Sequence, residues 1–249
     1  MHYLGISVIV QIALAVHVFR TGRPIYWIYI IVFIPVVGSA AYLIVEVLPE
    51  LFGHRHARSA IRGIRKTLDP EADIRRHKKM HQLSGSVDAA RHLAGELVAS
   101  GRFEEAIRHY EEALKGLYEH DPDLLLGLAQ AQFGNGEFEK ARATLDKLIE
   151  HNPDFRSQDG HLIYARSAEE CGDLKKAEEE YKAVAAYYSG AEAKVRYARL
   201  LEKVEKPGEA LAVYRDVVAA AELAPRHYRK AQKTWIGEAR DGIKRLGTE

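Results

Sequence analysis

The chain has 249 residues, a formal net charge of +1 and a single cysteine, Cys171. One cysteine excludes a disulfide framework and a cysteine-based metal site; Cys171 sits in a turn and is expected to be a spectator thiol. The near-zero charge hides three segments: residues 1–50 are net 0, residues 51–86 carry nine Lys or Arg against three acids (net +6), and residues 87–249 carry 25 basic against 30 acidic residues (net −5).

Tyr3 to Phe19 and Ile25 to Val45 contain no Asp, Glu, Lys or Arg. A bilayer core takes about 20 apolar residues, so residues 1–50 are expected to form a transmembrane hairpin with spans about 3–19 and 25–47. The RTGRP turn places Arg20 and Arg23 where they can snorkel to head groups. Tyr26, Trp27 and Tyr29 suit an interfacial aromatic belt. With no basic region before the first run and no small-x-small site after it, the hairpin is expected to be an uncleaved anchor. Gln11 is expected to hydrogen-bond across the hairpin, His17 to sit near the head groups and Pro35 to kink the second span. Gly38, Ser39, Ala40 and Ala41 form a small-residue patch that can seat the first helix or a second copy, a route to a homo-oligomer.

The stretch HVFRTGRPIYWIYIIVFIPVVGSAAYLIVEVLPE resembles the amino-terminal membrane hairpin of the cardiolipin synthase and phospholipase D group. Enzymes of that group use His-x-Lys-x4-Asp twice. Here the one approach is His77-Lys78-Lys79, with Ser84 in the aspartate position and no second copy. The resemblance therefore implies a membrane module without the catalytic half.

Residues 51–86 read as a basic juxtamembrane linker. Ile61, Ile64 and Leu68 recur at helical steps among Arg55, Arg58, Arg62, Arg65 and Lys66. A short amphipathic helix on an anionic leaflet is expected, each cation contributing about 1 kcal/mol. A nucleic-acid arm fits poorly beside a membrane segment and an acidic domain, so no nucleic-acid partner is expected. His54, His56, His77 and His81 lack carboxylate or cysteine partners at ligand spacing, and no metal or cofactor is expected. The five cations outnumber the two in the hairpin turn, which places both termini and the rest of the chain in the cytoplasm.

From Val87 a unit recurs. Ala106, Ala141, Ala177 and Ala210 stand 35, 36 and 33 residues apart, preceded by SGRFEEA, NGEFEKA, CGDLKKA and EKPGEA turns. Four residues after each alanine come Tyr110, Leu145, Tyr181 and Tyr214. Thirteen before come Leu93, Leu128, Tyr164 and Tyr197, each followed by alanine. Self-similarity at this period signals a helical solenoid. The pattern resembles the tetratricopeptide repeat, with departures: the family's tryptophan position holds Ala90, Leu125, His161 and Lys194, and the closing proline is clear at Pro153. The expected fold is all-α: the hairpin, then tetratricopeptide-like repeats over 87–249, then a capping helix opened by Pro225 with Tyr228, Ala231, Trp235 and Ile236 on its packing side.

No phosphate loop, Ser-His-Asp order or metal motif stands out, so the expectation is a non-enzyme. The resemblance implies a membrane-anchored scaffold or adaptor at a bacterial inner membrane, with a helix-A groove for a protein or peptide. The hairpin's resemblance implies instead a non-catalytic accessory subunit of a phospholipid-synthesis enzyme. The groove columns read Arg91, Leu126, Leu162 and Val195, and Gly95, Gln130, Arg166 and Arg199. Arg166 and Arg199 would either grip an acidic partner segment or pair with Glu169, Glu170 and Glu202.

Overall fold

The computed structural model describes residues 2–21, 24–47, 69 and 71–247. The chain divides into two units, residues 1–72 and 73–249.

In the first unit, α1 (His2–Arg20) packs against α2 (Tyr26–Phe33) and α3 (Pro35–Tyr42), followed by a π-helical turn, Leu43–Val47. The second arm is thus three pieces, not the single helix expected over 25–47. Ile34 leaves the helical region (φ −128°, ψ 75°) immediately before Pro35, because proline disfavours helical backbone in the residue before it. Among the described residues no helix is long and apolar enough to cross a membrane. Gln11 Nε2 donates to the Ile31 carbonyl at 2.8 Å, the cross-hairpin bond expected of it. His17 Nδ1 lies 2.8 Å from the Tyr42 hydroxyl, a second polar contact across the hairpin. Val18, Trp27, Ile31 and Tyr42 form a small core, and Trp27 donates to Glu46 at 3.1 Å. Gly38 has a local cause: a Cβ there would lie 2.2 Å from the Ile30 carbonyl oxygen. Arg55, Arg58, Arg62, Arg65 and Lys66, together with Ile61, Ile64 and Leu68, lie outside the described residues.

The second unit opens with α4 (Ala72–Ser84), inside the stretch expected to be linker. Ile74 explains it: this side chain is 5% exposed and belongs to the core of the first repeat. Four helix pairs follow: α5 (Val87–Ala99) with α6 (Phe103–Ala113), α7 (Pro122–Gly134) with α8 (Phe138–His151), α9 (Gln158–Glu170) with α10 (Leu174–Ala185), and α11 (Glu192–Lys203) with α12 (Pro207–Leu223). We call the first of each pair helix A and the second helix B.

Each pair is built the same way. Ser86, Asp121 and Ser157 cap the first three A helices by accepting from the backbone N–H three residues on. Each A helix then ends in a 6→1 bond, from Arg102 to Leu97, Glu137 to Gln132, Asp173 to Ala168 and Lys206 to Leu201. The residue at the left-handed position is Gly101, Gly136 and Gly172, but Glu205 in the fourth unit (φ 60°). The fourth turn therefore keeps the geometry without the glycine; Gly208 lies inside α12. Ala106, Ala141, Ala177 and Ala210 are all 0% exposed, as are Ala94, Ala129, Ala165 and Ala198. These methyl-sized residues let helices A and B approach.

The C-terminal segment is two helices, α13 (Arg226–Ala231) and α14 (Lys233–Leu246), not one. Gln232 sits at the break, where its Oε1 accepts from Ala191 N–H at 3.0 Å and so supplies the cap α11 lacks. Ala231, expected to pack, is exposed. The packing face belongs to α14, with Ile236, Ala239 and Gly242 buried. It stands where a fifth helix A would.

Candidate functional site

A cavity of about 810 Å³ opens between the second and third repeats. Leu145, Leu148 and Ile149 of α8 form one wall, with Leu126 of α7 and Phe155 of the following loop. Gly160 keeps it open: a Cβ there would meet Leu126 Cδ1 at 3.0 Å. The opposite wall is polar and internally satisfied. His161 Nε2 lies 2.6 Å from Glu180 and its Nδ1 lies 2.7 Å from the Tyr187 hydroxyl. Lys176 pairs with Glu180 at 2.7 Å. Burial pushes the Glu180 carboxyl up, but Lys176 and His161 together hold it below the usual carboxylate range. Tyr164 donates to Asp146 at 2.8 Å, and burial with that carboxylate pushes its phenol up to about 12. Arg156 at the rim donates to the carbonyls of Pro153 and Phe155. A recess with one apolar and one polar wall has the general form of a ligand site.

The expected groove residues scatter. Leu126 and Gln130 line a smaller hollow of about 290 Å³ shared by α5 and α7, with Arg91 beside them. Arg91 is already neutralised, 2.9 Å from Asp88 and 3.7 Å from Asp123. Leu162 and Val195 are core residues, 4% and 0% exposed, and so line no groove. Helices A bury more than one face, so this column turns inward; its neighbours Ile163 and Arg196 are the partly exposed ones. Arg199 pairs with Glu238 of α14 at 3.3 Å.

Arg166 pairs with none of the glutamates considered for it. Glu169 accepts from Tyr181 and lies 3.5 Å from Lys203, while Glu202 accepts from Tyr214 and Arg245. The Arg166 guanidinium lies 4.2 Å from the centre of the Phe133 ring. Burial, then the positive charge of Arg196, push it below the ordinary arginine range. Arg196 in turn lies 5.0 Å over Trp235. The sequence reading missed Phe133 and Arg196 and gave Trp235 only a packing role. Phe133 was legible in principle, since it stands one turn beyond Gln130, the residue equivalent to Arg166 in the preceding helix A.

Residues 97–166 match the tetratricopeptide repeat family. The match does not reach the hairpin. The sequence has no match among curated proteins. Among solved structures, a thermophilic tetratricopeptide protein of Thermus thermophilus superposes with a TM-score of 0.50 at 20% identity, over 66% of this chain and 88% of that one. A tetratricopeptide repeat protein of Parabacteroides merdae gives 0.51 at 18% identity, over 71% and 72%. YrrB, a tetratricopeptide protein described as having an unusual peptide-binding site, gives 0.50 at 15% identity, over 70% and 93%. At these identities the likeness is one of fold. The family match over residues 97–166, with the buried alanine slots and the recurring 6→1 turns, makes the repeat unit similar to the tetratricopeptide repeat.

Proposed function

We propose that the protein is a membrane-tethered adaptor whose repeat domain captures a partner protein segment at the cytoplasmic face of a bacterial inner membrane. The observation that carries capture is the cavity of about 810 Å³ between the second and third repeats, apolar on one wall and hydrogen-bonding on the other. Repeat domains of this kind bind through such recessed surfaces. Tethering is supported by the first unit, where Val10, Ile12, Val16, Phe19, Val32, Phe33, Val36 and Val37 are all exposed on its outer faces. So many large apolar side chains exposed together are uncommon in water. The basic stretch around Arg55 to Lys66 follows directly and suits anionic head groups. The Gly38–Ala41 patch keeps a homo-oligomer through the hairpin within the proposal.

The test is in-cell photo-crosslinking from Ile149 and Tyr187, both at the cavity and more than half exposed, with the exposed Leu223 as control. A discrete partner band from the cavity positions, absent from Leu223, is expected. Equal patterns from all three would overturn capture. Membrane fractions washed with alkaline carbonate should retain the chain; its release would overturn tethering.

A further inference from the structure

Helix α4 rests on the first repeat by one face. Ile74, His77 and His81 recur at three- and four-residue steps, which puts them on the same side of the helix. Ile74 enters the core of the first repeat. The His77 ring stacks on His92 of α5 with centres 5.7 Å apart, and His81 packs edge-on to His109 of α6 at 5.6 Å. These three contacts fix the rotation of α4 about its axis. The opposite face then holds Arg76, Lys79, Met80 and Leu83, all exposed.

This outer face sets large apolar side chains among cations. Met80 is 55% exposed and Leu83 76%. Along α4 four Lys and Arg residues stand against one carboxylate, Asp73, which lies 3.8 Å from Arg76. No further acid occurs before Asp88. On the adjoining helices Asp88 pairs with Arg91 and Glu105 with Arg102. Glu105 also feels Lys78, on the flank of α4.

We propose that the outer face of α4 is a docking surface for an anionic membrane leaflet, laying the first repeat on the bilayer. This rests on the tethering reading and adds to it a second membrane contact, made by the folded repeat unit itself without the cations of Arg55 to Lys66. A helix lying in a head-group layer needs this pattern: Arg76 and Lys79 reach lipid phosphates while Met80 and Leu83 enter between acyl chains. Nucleic acid would use the cations and leave Met80 and Leu83 in water. In chain order α4 is also the first helix of the repeat unit, so it follows the tether most closely.

The experiment uses the full chain with Cys171→Ser and Met80→Cys, the introduced thiol carrying an environment-sensitive fluorophore. The chain is reconstituted in phosphatidylcholine vesicles, with or without phosphatidylglycerol at roughly a third of the lipid, and with acyl-chain spin-labelled lipid as quencher. With anionic lipid the emission is expected to shift to the blue and to be quenched. The same label at Leu117→Cys, fully exposed in the loop after α6, should do neither. Arg76→Gln and Lys79→Gln should each lower the docked-to-free ratio about fivefold, the weight of one cation near an anionic surface. Leu83→Ser should lower it too, while Lys182→Gln, exposed on α10, leaves it unchanged. Equal quenching in neutral vesicles, no quenching in either, or undiminished quenching in Lys79→Gln with Leu83→Ser would each overturn the surface. So would an equal spectral shift when a short DNA duplex is added to neutral vesicles. The comparison of lipids needs no charge variant, so it decides the matter if one fails to fold. A chain that stays in the membrane through the carbonate wash but shows no quenching leaves tethering standing, so the two failures are separable.

Discussion

Tyr214 donates its phenolic hydrogen to Glu202 at 2.6 Å, and one repeat earlier Tyr181 donates to Glu169 at 2.9 Å. Both tyrosines are 0% exposed and stand four residues after the alanine slot of their helix B. Each glutamate also meets a cation on the next A-type helix, Lys203 at 3.5 Å and Arg245 at 2.8 Å. The Tyr–Glu–cation set therefore joins the third repeat to the fourth and the fourth to α14. Burial, together with the neighbouring carboxylate, pushes both phenols well above their ordinary range.

Tyr214→Phe removes the bond but keeps the ring, leaving Glu202 with a lost donor. Unfolding by urea should show a loss of about 1–3 kcal/mol. An unchanged midpoint would mean that Arg245 alone satisfies the carboxylate.

Gly127 lies against the ring of Tyr110, where a Cβ would stand 2.4 Å from Cζ. Gly127→Ala forces the first two repeats apart and should cost about 1–3 kcal/mol. Gly208→Ala is the control: nothing lies within 4 Å and the position is helical, so a gain of about 0.5–1 kcal/mol is expected. A matched pair of thermal melts separates the two.

Glu205 holds the left-handed position that glycine takes in the other three turns. Glu205→Gly should relieve the strain and raise stability by about 1 kcal/mol. A fall in melting temperature would show that the Glu205 side chain compensates for its backbone.

His109 packs edge-on to His81 with ring centres 5.6 Å apart. Burial, then the charge of His81 and more weakly Arg108, lower its pKa, against the opposing pull of Glu112 and Glu105. The unfolded chain then binds the proton more readily, so this contribution is complete above about pH 6.5 and is lost as pH falls through the lower folded value. Stability measured from pH 7.5 to 5 should decline, and His109→Gln should flatten the decline. An identical slope in the variant would assign it to other groups.

The repeats were legible in the chain alone. A 33- to 36-residue period places Ala106, Ala141, Ala177 and Ala210 where only a small residue fits, and all four are fully buried. Local signals sufficed there because caps, turns and helix periodicity act within a few residues of chain. Other features waited on the packed fold. Pro35 did more than kink the second arm of the hairpin: the helix breaks at Ile34. Leu162 and Val195 turned into the core because how far a helix rotates toward its neighbours depends on both helices it packs between. Arg199 and Arg166 look alike in the repeat alignment. Only the arrival of Glu238 on α14 and of Phe133 on α7 made one a neutralised pair and the other a cation seated on an aromatic ring. Those contacts join residues 33 to 39 positions apart, and which side chain reaches which is set by helix rotation and spacing that no local pattern encodes.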